Sequence, residues 1–158
     1  MVYIGIGSNL GNRFNNIEKA KFFLKINGIN IVKFSSYYET LSWPNPNNPK
    51  FINVVVQSDT KIQPKKLLEI FKKIERKLGR IDTIKNSPRP CDIDIISYRK
   101  KVLSKEITIP HKRMSKRNFV LLPLFELAPH WIHPKTNKTI KRLIFSLPIK
   151  DITSIKYI

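Results

Sequence analysis

Cysteine is almost missing from this chain. Cys91 stands alone, which excludes an internal disulfide framework and a zinc site built from several thiolates. Acidic residues are scarce too, 11 against 30 lysines and arginines. No apolar run approaches the roughly 18 residues that a membrane-crossing helix needs. The stretch Met1 to Gly7 has neither a basic leader nor a small-residue cleavage site, so no secretory signal is expected and the cytoplasm is the expected compartment. Internal repeats and low-complexity tracts are absent. The turn Gly7-Ser8-Asn9-Leu10-Gly11-Asn12 lacks the Lys-Ser/Thr pair of a Walker phosphate loop, so it reads as the end of a strand.

What remains suits a globular protein. With 158 residues, 41% hydrophobic and 26% charged, the chain is expected to form one domain over 1–158 with a core of its own. The formal charge of +19 admits a polyanionic partner, either nucleic acid or a phosphorylated small molecule. It equally admits a solvated lysine surface, because the lysines are spread along the whole chain. The arginines say more. Arg76, Arg80, Arg89, Arg113 and Arg117 flank one segment, and a guanidinium fork suits phosphate oxygens.

That segment is Ser87-Pro88-Arg89-Pro90-Cys91-Asp92-Ile93-Asp94-Ile95-Ile96. Its β-branched run asks to be a buried strand, yet it carries two of the few carboxylates. An unpaired buried carboxylate costs several kcal/mol. On a strand, Asp92 and Asp94 face one side and Ile93 and Ile95 the other. Two like charges roughly 7 Å apart need a cation between them. Mg²⁺, which takes one or two carboxylates and completes its shell with water and phosphate oxygens, fits that need. Pairing with Arg89 would answer it as well.

Periodicity places the other elements. Residues 2–7 read as a strand, and a helix follows with Ile17, Ala20 and Leu24 on one face and Asn27-Gly28 as its stop. A second strand is expected over 29–39. A Pro/Asn-rich loop follows at 43–49, then a strand with Ile52, Val54 and Val56 on one side and Phe51, Asn53 and Val55 on the other. Pro64 opens a helix striped by Leu67, Phe71, Ile74 and Leu78 and ended by Gly79. The carboxylate strand is 91–98, and a third helix spans roughly 118–128, with Pro123 limiting or kinking its first turn. Strand-helix-strand-strand-helix-strand is the split βαβ order of an α+β, ferredoxin-like sandwich: a mostly antiparallel sheet with two helices on one face.

Several motifs in this order resemble one family. Gly7-Ser8-Asn9-Leu10-Gly11-Asn12, Ser35-Ser36-Tyr37-Tyr38-Glu39-Thr40, Phe51-Ile52-Asn53, Pro88 to Ile96 and Ile109-Pro110-His111 together resemble the 6-hydroxymethyl-7,8-dihydropterin pyrophosphokinases of folate biosynthesis, over residues 2 to about 134. The resemblance implies diphosphate transfer from ATP to the pterin hydroxymethyl group, with release of AMP. It also implies two Mg²⁺ ions held by Asp92 and Asp94, with Arg89 and Arg117 as catalytic partners. Phe51 and Phe119 would sandwich the pterin, Asn53 and Thr40 would bond its edge, and Gly7 and Trp43 would lie beside it. Glu75, Arg80, Lys85, Arg89, Ile95, Thr108, His111, Lys112 and Arg117 fall where the family contacts nucleotide. Loops 43–50 and 81–90 would be lids. Departures from the family pattern cluster at Lys85-Asn86-Ser87, Asp82, Leu41-Ser42-Trp43 and Lys112. A monomer with no specific nucleic-acid or membrane partner is expected. The rival classes are an RNA-binding module with the same topology and an Mg²⁺-dependent nucleotidyl transferase.

Overall fold

The computed structural model describes residues 1–81 and 86–158. Its centre is β1 (Val2–Ser8), paired antiparallel with β4 (Phe51–Asp59) on one side and β5 (Asp92–Tyr98) on the other. Beyond β4 lie β2 (Asn30–Phe34) and β3 (Tyr38–Thr40), and β6 (Lys156–Tyr157) extends the sheet from β3. Every strand pairing is antiparallel, in the order expected of the ferredoxin-like topology.

Against one face pack α1 (Arg13–Ile26) and α2 (Pro64–Lys77). The Asn12 side chain caps α1 by accepting from the Asn15 amide, and the stripe Ile17, Ala20, Leu24 is fully buried. Pro64 occupies the first turn of α2, where its missing N–H costs nothing. Gly79, at φ +92°, takes the left-handed conformation that ends the helix. Leu67, Phe71 and Ile74 meet Ile4, Ile6, Ile52, Val54, Ile93 and Ile95 in this first core.

Three expectations need correction. The strand over 29–39 is broken into β2 and β3. Ser35 bonds Val55 with both its amide and its hydroxyl, and the Ser36 amide and hydroxyl both donate to Glu126, far along the chain. The sheet is also covered on both faces, not one. α3 (Asn118–Leu127) and α4 (Ile140–Phe145) bury Val120, Leu121, Leu124, Ile140 and Leu143 against Tyr3, Val55 and Ile96. α5 (Ile149–Thr153) follows them. Finally, Pro123 lies inside α3 rather than in its first turn. It removes the amide that would bond the Phe119 carbonyl.

A bulge between Tyr3 and Ile4, opposite Ser97 and Ile95, shifts the β1–β5 register. Asp92, Asp94 and Ile96 therefore share the α3 side, while Tyr98 turns into the α1–α2 core. Among the described residues no helix is long and apolar enough to cross a membrane.

Candidate active site

The α3 layer covers only part of its face and leaves a cleft of about 330 Å³ over the ends of β1, β4 and β5. Register explains its floor. Gly7 stands between Asn53 and Asp92, and Gly5 between Val55 and Asp94. With no side chain on the cleft face of that stretch of β1, since Ile6 turns into the α1–α2 core, the carboxylates and the β4 side chains look at each other across bare backbone.

Asp92 is gripped on both oxygens, by Arg80 at 2.7 Å and Arg89 at 2.6 Å. Burial alone would raise its pKa, but the Arg89 and Arg80 guanidiniums outweigh it and hold the carboxyl below the usual range. Asp94 meets Arg117 at 3.2 Å and His111 Nε2 at 3.8 Å. Burial pushes the His111 imidazole down, with Arg117 and Arg113 adding to the effect against Asp94. His111 Nδ1 accepts the Arg113 amide, so the neutral ring carries its proton on Nε2, toward Asp94.

Glu75 stands behind this cluster. It bonds Arg80 at 2.7 Å and accepts the Ile93 amide at 2.7 Å. Burial drives its pKa from 4.5 up to about 7, and Asp92 and Asp94 add to this against the Ile93 amide and Arg80. A carboxyl that keeps its proton to higher pH when folded stabilises the fold most below its unfolded pKa. That contribution fades as pH rises from about 4.5 through 7. His111 and His133, both depressed by burial, act in the opposite sense, so a difference curve is needed. Glu75→Gln should remove a falling component of at most about 3 kcal/mol between pH 5 and 8, read by urea unfolding of both proteins. Parallel curves for the two proteins would contradict the assignment.

On the β4 side, Asn53 donates to Thr40 Oγ1 at 2.9 Å, leaving its second N–H and its carbonyl for another partner. Phe51 and Phe119 line the same cleft. Arg89 lies 5.2 Å over the Phe51 ring and Arg117 5.3 Å over the Phe119 ring. The turn after β1 joins the two walls. The Asn9 side chain donates to the Pro49 carbonyl at 3.1 Å and accepts the Arg89 amide at 2.8 Å. Its own backbone amide donates to the Arg89 carbonyl at 3.2 Å. One buried asparagine thus ties the feet of both loops that border the cleft.

Gly7, Thr40, Trp43, Phe51, Asn53, Arg80, Arg89, Asp92, Asp94, His111, Arg117 and Phe119 all line this cleft, as the sequence suggests. Ile95 does not, since its side chain is in the α1–α2 core. Thr108 and Lys112 are exposed and outside the lining, and Lys85 and Asp82 lie outside the described residues. Gly5 and Ile96 also line it, with no role expected of them, as do Leu41, from the stretch that departs from the family pattern, and Arg113, expected to suit phosphate oxygens. Gly5-Ile6-Gly7 is a period-two signal that takes meaning only once β1 is known to run between β4 and β5.

The donor set fits hard divalent cations that arrive with phosphate. It offers two carboxylates on one strand face, and among the described residues no cluster of three His, Cys, Asp or Glu that could hold a metal unaided. Buried Nε atoms of Arg89 and Arg117 have no hydrogen-bond partner, which suits an anionic ligand because a buried N–H left unpaired costs about 1–3 kcal/mol.

Fold and cleft together define a class: an antiparallel α+β sandwich that sets an acid–arginine cluster beside two phenylalanines and a buried asparagine in one cleft. The chain belongs to the 7,8-dihydro-6-hydroxymethylpterin-pyrophosphokinase family, whose model matches residues 3–129. It is 39% identical over 145 residues to the 2-amino-4-hydroxy-6-hydroxymethyldihydropteridine pyrophosphokinase of Aquifex aeolicus, covering 89% of this chain and 88% of that protein. It is 41% identical over 147 residues to the mitochondrial folate synthesis bifunctional protein of Arabidopsis thaliana, covering 84% of this chain but 26% of that protein. The chain therefore spans about a quarter of such bifunctional relatives. The fold matches the crystal structure of Plasmodium falciparum HPPK-DHPS with a TM-score of 0.68 at 16% identity, over 90% of this chain and 43% of that one.

Proposed function

We propose that this protein transfers diphosphate from ATP to the hydroxymethyl oxygen of 6-hydroxymethyl-7,8-dihydropterin, releasing AMP and requiring Mg²⁺. One observation carries the reading. Asp92 and Asp94, with their arginines, stand on the same sheet face as Phe51 and Asn53, separated by glycine backbone alone. The family and the name of the Aquifex relative support it.

Asp92 and Asp94 would hold two Mg²⁺ ions, which supply charge neutralisation on the transferred group and lower the pKa of the attacking hydroxyl. The chain's own residues do the rest. Arg89 and Arg117 turn from carboxylate to phosphate oxygens, with their unpaired Nε atoms available for the same anion. Glu75 keeps Arg80 in place beside Asp92. His111 offers its Nε2 proton to the same oxygens. Phe51 and Phe119 orient the ring, and Asn53 reads its edge with one donor and one acceptor. The loop at 43–50, with Ile81, Asn86, Ser87 and Arg89 across from it at the cleft, keeps water from the phosphates.

We further infer that the protein is a monomer, resides in the cytoplasm and has no specific nucleic-acid partner. The cleft arginines Arg80, Arg89 and Arg117 are engaged by carboxylates, and a dispersed lysine surface gives salt-sensitive attraction without base recognition.

Phosphorus NMR of protein, ATP, Mg²⁺ and the hydroxymethyl pterin tests the reaction. AMP and a pterin diphosphate should appear together. Release of inorganic pyrophosphate would assign a nucleotidyl transferase instead, and unchanged ATP would leave only a binding module.

A further inference from the structure

Arg80, Arg89, Arg113 and Arg117 all line the cleft. Three of them have carboxylate partners. Arg113 does not, among the described residues, and its guanidinium instead lies 5.2 Å over the ring of Trp43. The two residues come from opposite walls. Trp43, 51% exposed, belongs to the loop between Thr40 and Phe51. Arg113 belongs to the segment after β5, whose His111 donates its amide to the Ile96 carbonyl at 2.9 Å. The Arg113 amide in turn bonds His111 Nδ1 at 3.2 Å.

The far end of the Trp43 loop is well tied. Asn9 holds the Pro49 carbonyl, Arg13 the Lys50 carbonyl, and Asn48 reaches the Asn86 carbonyl. Around Trp43 the ties are fewer: the Asn47 amide bonds Asn45 within the loop. Arg113 reaches that less anchored part from across the cleft.

We propose that Arg113 and Trp43 form a latch, in which the guanidinium–indole stack holds the 41–50 loop over the ring-binding half of the cleft and so sets affinity for the flat substrate. Arg113 is thus a positioning residue acting through Trp43, not a fourth phosphate ligand. The proposal rests on the reading of Phe51, Asn53 and Phe119 as the pterin pocket. A cation over an indole gains more as water leaves, so the latch tightens when the pocket fills.

Calorimetry with the hydroxymethyl pterin, in the presence of a non-hydrolysable ATP analogue and Mg²⁺, tests it on the full chain. Arg113→Met should weaken pterin binding about fivefold to tenfold and leave the analogue's affinity within about twofold. Arg113→Lys, which keeps the cation, should recover part of the loss. Trp43→Leu should weaken pterin binding too, and adding Arg113→Met to it should cost little more, because the pair acts as a unit. Additive losses, full pterin affinity in Arg113→Met, or a fall in nucleotide affinity instead would each overturn the latch.

A second measurement separates failure of the latch from failure of the pterin reading. The chain has two tryptophans, so Trp131→Phe leaves Trp43 as the sole indole. Arg113→Met should then raise acrylamide quenching of Trp43 without any substrate, and equal quenching would disprove the stack itself. Should Trp131→Phe not fold, the same difference is read in the two-tryptophan protein. Absence of pterin binding by wild type, with quenching still changed, would sink the pterin reading and with it the latch's role in substrate affinity.

Discussion

Asp92→Ala should lower diphosphate transfer at least about a hundredfold, and Asp94→Ala should do the same, because oriented charge stabilisation at a phosphoryl centre is worth several kcal/mol. The two variants should differ in stability. Asp92 satisfies Arg80 and Arg89 at once and is a quarter exposed, so its removal strips Arg89 of its carboxylate and leaves Arg80 with Glu75 alone. Breaking a fully buried pair costs about 3–5 kcal/mol, and the partial exposure of this one brings the cost below that. Asp94 is 39% exposed and makes longer contacts with Arg117 and His111, so its loss should change the urea midpoint little. Asp92→Asn keeps the shape and one acceptor, and separates the structural cost from the chemical one. Turnover is to be measured at saturating Mg²⁺ and both substrates, with circular dichroism to establish folding. Near-wild-type turnover in either folded alanine variant would remove these residues from the reaction.

The aspartate pair was legible because alternation on a strand is a local property, and so was its cost in an apolar run. Glu75 was half legible. It lies four residues after Phe71 in the helical stripe and must therefore turn toward the sheet, but its hold on the Ile93 amide depends on how α2 meets β5. The break between β2 and β3 was not legible at all. Its cause is Glu126 on α3, which takes the Ser36 amide, the Ser36 hydroxyl and the Tyr38 hydroxyl, and no window of neighbouring residues contains that contact. The second helical layer was half hidden in the same way. Ile140, Leu143 and Leu147 repeat at helical spacing after the cap Thr139, yet which face they cover follows only from the sheet. Arg113 shows the limit most clearly. Its place in the chain groups it with the phosphate-seeking arginines, and its partner is an indole from the opposite wall.

Gly7→Val should abolish recognition of the pterin while leaving nucleotide binding intact. Gly7 is flanked across the sheet by Asn53 and Asp92. A Cβ at this position would stand 2.9 Å from Asn53 Oδ1 and 3.3 Å from the Phe51 ring. Neither neighbour yields freely. The Asn53 amide is buried and tied to Thr40, and Phe51 lies under Arg89. Gly7 sits in an extended strand, so valine brings no backbone strain and even raises strand propensity. The cost is local overpacking, about 1–3 kcal/mol of stability. Pterin affinity should fall at least about thirtyfold, because the displaced amide no longer matches the ring edge and the added methyls fill its floor. Affinity for a non-hydrolysable ATP analogue should stay within about twofold of wild type. Gly5→Ala is the control. Its Cβ would meet the tip of the Ile96 side chain at 3.3 Å, a flexible end that gives way, so pterin binding should change little. Calorimetry of the three proteins with each ligand separates these outcomes. Wild-type pterin affinity in Gly7→Val would place the ring somewhere other than between Phe51, Asn53 and Phe119.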